Sequence, residues 1–381
     1  MNLGERKRIL TAGPTISQRE IDYVLDAVQN GWNEHWSDYL VRFEQSFARY
    51  VGTRFALATS SCTGALHLSL LALGIGPGDE VIVPEVTWVA TASAVSYTGA
   101  TAVPVDVDPT TWCIDPASAE RAITPQTKAI VPVHLYGHPA DMPAIRKLAD
   151  AHGLKVLEDA APALGAEIEG QKAGSFGDIA CFSFQGAKIM TCGEGGMLVT
   201  NDGSLFERAK FLNDHGRDPH RPFAISEFGY KYKMSNLQAA LGLAQLERLE
   251  EMIARRRLIF QWYRRRLCGV ADLAMNVERY WARNIYWMTS VVLGDRFAVT
   301  RDEVMAGLRT DGIDSRPFFP PLSSFPMFAS RKAENPTAYK LAARGINLPS
   351  GHNLTEADVD RVCASLLNVI GETSEHQLAA A

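Results

Sequence analysis

Residues 127–161 read TKAIVPVHLYGHPADMPAIRKLADAHGLKVLEDAA. The outer runs, TKAIVPVHLY and LKVLEDAA, are apolar and rich in β-branched side chains, as buried strands are. Between them MPAIRKLADAHG carries apolar residues at helical spacing and closes on Gly153, the residue type that takes left-handed backbone past a helix end without penalty. Two strands joined through one helix lie parallel, because a tight turn returns the chain antiparallel. This unit predicts a layered α/β fold, and its repetition decides the matter.

Toward the N-terminus the alternation continues. QREIDYVLDAVQN is amphipathic at helical spacing, RFALATSS reads as a strand entering a turn, and TGALHLSLLALG is a helix closed by Gly74. GDEVIVPEVTW is a buried strand, followed by the helix VATASAVSYTGA and the strand TAVPVDVD. Toward the C-terminus come the strands GDIACFSF and GGMLVTND. The expected fold class is therefore α/β, a mostly parallel sheet with helices on both faces, whose sites lie beyond the carboxyl ends of the strands. Past the long helical run YKMSNLQAALGLAQLERLEEMIARRRLIFQWYRRRL the pattern changes. The strand NIYWMTSVVLG, the helix TRDEVMAGLRTDG, the Pro-rich loop SRPFFPPLSSFP and the helix TEADVDRVCASLLNVIG, with Thr355 as N-cap, suggest a smaller α+β domain. The expected division is a large domain with the N-terminal segment over 1–250, a small C-terminal domain over 251–375, and a tail over 376–381 outside the fold.

Composition narrows the function. The chain has 381 residues, 46% hydrophobic and 21% charged, with a formal net charge of -5. The basic runs RRRL at 255–258 and 264–267 fall in a helical pattern and read as a solvated face, so nucleic acid is not an expected partner. The six cysteines show no metal-ligand spacing, and reduced thiols and no metal are expected. MNLGERKRIL lacks the apolar core of a signal peptide, and no apolar run approaches the roughly 18 residues that span a bilayer. The expectation is a cytoplasmic protein without a membrane partner.

Three strand ends carry chemistry. ATSSCTGAL puts Ser60, Ser61, Cys62, Thr63 and Gly64 where a strand turns into a helix, a place of free N–H groups and hydroxyls suited to phosphate, though also to an ordinary N-cap. LKVLEDAA ends on Glu158 and Asp159, carboxylates that need a cation or a capping role there. After Ser183, the run CFSFQGAKIMTCGEGG holds one lysine, Lys188, among apolar and small residues; such a lysine tends to lose its proton and become a nucleophile for carbonyl carbon. With the aromatic Trp88 ending VIVPEVTW, the set meets the needs of pyridoxal 5'-phosphate (PLP): a lysine to bond, a carboxylate for the ring nitrogen, a ring to stack and a phosphate site. A nicotinamide enzyme is disfavoured, because GIGPG follows a helix instead of a strand.

GIGPGDEVIVPEVTWVATASAV, PVDVDPTTWCIDP, ITPQTKAIVPVHLYG, EDAAPALGA, FSFQGAKIMTCGEGGMLVTND and YKYKMSNLQAALGLAQLERL together resemble the DegT/DnrJ/EryC1/StrS sugar aminotransferases, of the fold-type I, aspartate aminotransferase-like class. The resemblance implies that Lys188 bonds the cofactor, Asp159 meets the pyridine nitrogen, Trp88 stacks on the ring, and Cys62, Thr63 and Ser183 hold the phosphate. It implies that Asn236 reaches the phosphate from the other subunit of a homodimer with shared active sites. Lysine in the FSFQGAK position, where some dehydrating relatives carry histidine, favours transamination with L-glutamate as donor. One departure is Pro162, where the family usually has Gln, His or Glu; proline cannot hydrogen-bond a cofactor oxygen or a substrate.

Within the family, DHGRDP, FGYKYKMSNLQAALGLAQLERLE and SRPFFPPL look most like the group that aminates C4 of GDP-4-keto-6-deoxymannose, a nucleotide-sugar substrate. TWVATASAV and CIDP also resemble aminotransferases of cyclitol ketones such as scyllo-inosose. His215, Arg217, Tyr232 and Arg316 are candidates for sugar or diphosphate, and Trp32 and His35 for the sugar pocket. Each is also read as a loop or interface residue. Glu194 is read as a positioning group or a turn carboxylate. A PLP-binding regulator without turnover is the reading from a different class.

Overall fold

The computed structural model describes residues 8–218, 220–329 and 334–372; the 376–381 tail falls outside them. The large sheet has seven strands in the order Phe55–Thr59, Gly196–Thr200, Ile179–Ser183, Lys155–Asp159, Thr127–Ile130, Glu80–Pro84 and Thr101–Val105. The five from Ile179–Ser183 onward pair in parallel, whereas Gly196–Thr200 runs against both of its neighbours. The reversal follows from the connection: no helix separates Ser183 from Gly196, so the chain returns antiparallel. That return carries Lys188.

Helices cover both faces, as alternation requires. Cys62–Ala72, Ala90–Tyr97 and Gly203–Asn213 pack on one face through Leu66, Leu68, Val95 and Leu212. Asp38–Val51, Met142–His152 and Asn236–Leu246 pack on the other, where Phe43 and Phe47 meet Phe184 and Phe182 at ring separations of 5.3 and 5.0 Å.

The long helical run is two helices, Asn236–Leu246 and Leu249–Leu267. Gln245 and Arg248, flanking the break, both bind the buried carboxylate of Glu20, at 2.6 and 2.8 Å, and this shared partner holds the bend. The second helix serves two cores. Met252 and Ile253 face the large sheet, while Ile259, Trp262 and Tyr263 pack with Glu356–Val369 against a four-stranded antiparallel sheet ordered Leu273–Met275, Thr289–Leu293, Gly345–Leu348, Arg316–Pro317. Thr355 caps Glu356–Val369 by accepting from the Asp358 N–H.

Candidate active site

A cavity of about 780 Å³ opens at the carboxyl ends of the parallel strands and is lined by Cys62, Thr63, Trp88, Asp159, Ser183, Lys188 and Arg316. The strand-end rule thus brings together residues from opposite parts of the chain. On one side the helix Cys62–Ala72 begins. Ser61 caps it by accepting from the Gly64 N–H at 3.1 Å, which leaves the N–H groups of Cys62 and Thr63 without an intrahelical acceptor at the cavity wall. Gly196 allows this approach: a Cβ there would fall 2.5 Å from the Cys62 nitrogen.

Asp159 ends its strand at 5% exposure. Its Oδ2 accepts from the Thr91 hydroxyl at 2.7 Å and its Oδ1 from the Ala161 N–H at 3.1 Å. Burial pushes its pKa up, and these two donors, with Lys188 acting through space, oppose the rise. A carboxylate held this way is incompletely compensated and would be kept ionised by a cationic ring nitrogen. Its neighbour Glu158 faces the opposite way, as successive strand residues must. Glu158 accepts from His134 Nε2 at 3.0 Å and from the N–H groups of Gly174, Phe176 and Gly177 at 2.8, 2.7 and 2.6 Å. It is a structural anchor of the strand end.

Lys188 borders the cavity, and burial drives its pKa down against the pull of Asp159 and Cys62. Its Nζ sits 4.0 Å from the ring centroid of Trp287, whose own Nε1–H donates to the Ala187 carbonyl at 2.8 Å. Trp88 stands with Phe319, ring centroids 5.7 Å apart. Arg316 is at the mouth, 3.3 Å from Asp314, which in turn accepts from the Thr11 hydroxyl at 2.7 Å. Pro162 lines the wall and offers it only apolar surface, and Glu194 also reaches the wall.

Other expected residues stand apart from this cavity in their own chain. Asn236 Oδ1 accepts from the N–H groups of Tyr39 and Leu40, at 3.0 and 3.3 Å, and so caps the helix Asp38–Val51. Its Nδ2 points to the His35 carbonyl at 3.5 Å, and the His35 N–H donates to the Trp32 carbonyl at 3.0 Å, so His35, Trp32 and Asn236 form one neighbourhood. Tyr232 packs behind the cradle, its ring 3.0 Å from where a Cβ on Gly64 would lie and its hydroxyl 3.2 Å from His67 Nδ1. His215 and Arg217 belong to the loop that pairs Arg217 with Ile225. Thr91 and Trp287 carry no local sequence signal of their place at the site. Thr91 lies one turn beyond Trp88 in the helix Ala90–Tyr97, a position the strand-end rule passes over, and Trp287 had only its aromatic character to mark it.

An amine-bearing lysine, a hydrogen-bonded carboxylate, a helix N-terminus and an aromatic wall around one cavity define a PLP enzyme of fold-type I. The chain belongs to the DegT/DnrJ/EryC1/StrS aminotransferase family, whose model matches residues 14–367. It is 45% identical over 370 residues to a GDP-perosamine synthase of Caulobacter vibrioides, covering 97% of this chain and 100% of that one. It is 40% identical to a GDP-perosamine synthase of Escherichia coli O157:H7, covering 93% and 96%. Among solved structures it resembles DesI in the presence of its TDP-sugar product, with a TM-score of 0.90, 32% identity and coverage of 98% and 95%. It also resembles DesV of S. venezuelae in complex with a ketimine intermediate, with a TM-score of 0.86, 35% identity and coverage of 93% and 95%. The protein is a PLP-dependent transaminase.

Proposed function

We propose that the protein transfers the amino group of L-glutamate to C4 of a nucleotide-linked 4-keto-6-deoxy sugar, GDP-4-keto-6-deoxymannose being favoured, for an amino sugar of O-antigen, another surface polysaccharide or a natural product. The observation that carries this reading is the near end-to-end similarity to three GDP-perosamine synthases, at 37 to 45% identity. We place the reaction in the cytoplasm, where nucleotide sugars are made; among the described residues no helix is long and apolar enough to cross a membrane. Glutamate as donor and a homodimer with shared sites belong to the same proposal.

When bound, PLP supplies a carbon that bonds an amine and a ring that draws electrons from the adjacent carbon. The chain supplies the rest. Cys62, Thr63 and Ser183 would hold the phosphate at the helix N-terminus, Trp88 would cover the ring, and Asp159 would keep the ring nitrogen protonated. Lys188, whose pKa burial pushes down, would take the proton from the donor's Cα and deliver it to the cofactor carbon that bonds the amine, and in the second half-reaction would reverse the order. Arg316 at the mouth meets an anionic part of the substrate.

The test is a panel of nucleotide-linked keto sugars and scyllo-inosose offered to the aminated cofactor form of the enzyme, scored by the cofactor's absorbance. GDP-4-keto-6-deoxymannose should discharge the amine fastest. A faster discharge by scyllo-inosose would replace this reading with the cyclitol one.

A further inference from the structure

Reversible proton transfer sets Lys188 a requirement that its surroundings meet only in part. The amine must be neutral to accept a proton and must then persist as an ammonium until the proton is delivered. Burial opposes the ammonium. The titratable groups that face it are Asp159 at the strand end and Cys62 at the helix N-terminus, and both act only through space. Asp159 is already committed to Thr91 and the Ala161 N–H.

The other wall is Trp287. Its ring centroid is 4.0 Å from Lys188 Nζ, well inside the roughly 6 Å over which an aromatic face attracts a cation. The ring is held from two sides. Tyr136 stacks near it, centroids 6.4 Å apart with 28° between planes, and its Nε1–H donates to the carbonyl of Ala187, the residue next to the lysine. At 5% exposure the contact is largely shielded from water, which strengthens it. One side chain thus fixes the lysine's loop through its edge and meets the lysine's amine with its face.

We propose that the indole face of Trp287 is where the Lys188 amine rests whenever it is free of the cofactor, and that it stabilises the ammonium form between proton uptake and delivery. The proposal rests on Lys188 being the cofactor-bonding lysine and assigns Trp287 a part in the same proton transfer. The indole exchanges no proton. The amine gains one from the donor's Cα and delivers it to the cofactor carbon that bonds the amine, so the lysine's protonation is unchanged over the transfer.

The test uses the apoprotein, so that it reads the lysine itself. Competitive labelling with acetic anhydride as a function of pH, followed by mass spectrometry of the peptide bearing residue 188, gives the pKa of the amine. Trp287→Leu, which removes the ring, should lower that pKa by about one unit. Trp287→Phe keeps an aromatic face and loses the N–H to Ala187, and should stay close to the parent. An unchanged value in Trp287→Leu, or equal falls in both variants, overturns the proposal; the second outcome would assign the effect to the loop clamp. Thermal midpoints and cofactor binding confirm that the variants fold. Borohydride reduction of the holoenzyme, with the mass of the same peptide, tests separately whether Lys188 bonds the cofactor, so failure of that reading is distinct from failure of this one.

Discussion

At the scale of single residues, the site depends on how a buried carboxylate is kept charged. Asp159 is pushed up by burial and held down by two donors, of which the Thr91 hydroxyl is the stronger. A hydrogen bond to a charged group is worth about 1.5–3 kcal/mol. Thr91→Val should therefore slow the single-turnover reaction with glutamate by roughly ten- to hundredfold, since about 1.4 kcal/mol is a factor of ten. Asp159→Asn, which removes the charge while keeping the shape, should slow it by at least about a hundredfold. Stopped-flow absorbance on the cofactor-loaded variants reads both, and a Thr91→Val rate equal to that of the parent would show that the hydroxyl does not tune the carboxylate. Lys188 and Asp159 were legible in the sequence because each sits next to a recognisable strand, and a charged group there requires a reason. Thr91 and Trp287 were not, because their contacts join positions 68 and 100 residues apart, and no local pattern encodes such a meeting.

At the scale of elements, legibility followed length and burial. The helix Gln18–Asn30 coincides with its amphipathic run, and the strands of the large sheet lie within the apolar runs that announced them. Two-residue strands such as Glu167–Ile168 and Gln171–Lys172 are too short to show a period. The helix Asp38–Val51 is equally amphipathic and begins just past Trp32 and His35. That helix also carries a strained group. Glu44 accepts from the Ala58 N–H at 2.8 Å, and burial raises its pKa from 4.5 to about 7. An acid whose folded pKa exceeds its unfolded value binds more protons when folded. Its contribution to stability is therefore present below about 4.5 and is lost as pH rises toward 7, each pH step of one across that window removing at most about 1.4 kcal/mol. Glu44→Gln keeps an oxygen for Ala58 and removes the charge. It should raise the thermal midpoint at pH 8, change it little at pH 4.5, and flatten the profile between. An equal shift at both pH values would mean that the effect is packing and not ionisation.

At the scale of the whole molecule, the proposed homodimer has exposed apolar surface to cover. The helix Gln18–Asn30 leaves Ile21, Leu25 and Val28 about half exposed along one stripe, and the loop after Asn213 leaves Phe223 and Phe228 at 93% and 97%. Apolar surface of this extent is usually covered by a partner, and a two-fold axis would lend the same residues in both directions. In the proposed dimer, the neighbourhood of Trp32, His35 and Asn236, apart from its own cavity, would be available to the cavity of the other chain. Asn236 needs a careful substitution, because its Oδ1 already caps the helix Asp38–Val51 through the N–H groups of Tyr39 and Leu40. Asn236→Ala would confuse a lost cap with a lost phosphate contact, whereas Asn236→Asp keeps the accepting oxygen and replaces only the donating Nδ2. If that donor completes the partner's phosphate site, Asn236→Asp should weaken cofactor binding without lowering the thermal midpoint of the apoprotein. Mixed with Lys188→Ala subunits, it should then regain activity: half of the randomly mixed dimers are hybrids, and each hybrid holds one intact site of two, about a quarter of the parent's rate in all. Activity that stays at the level of the separate variants, after mass spectrometry has verified subunit exchange, would assign Asn236 to its own chain and leave each cavity complete within one subunit.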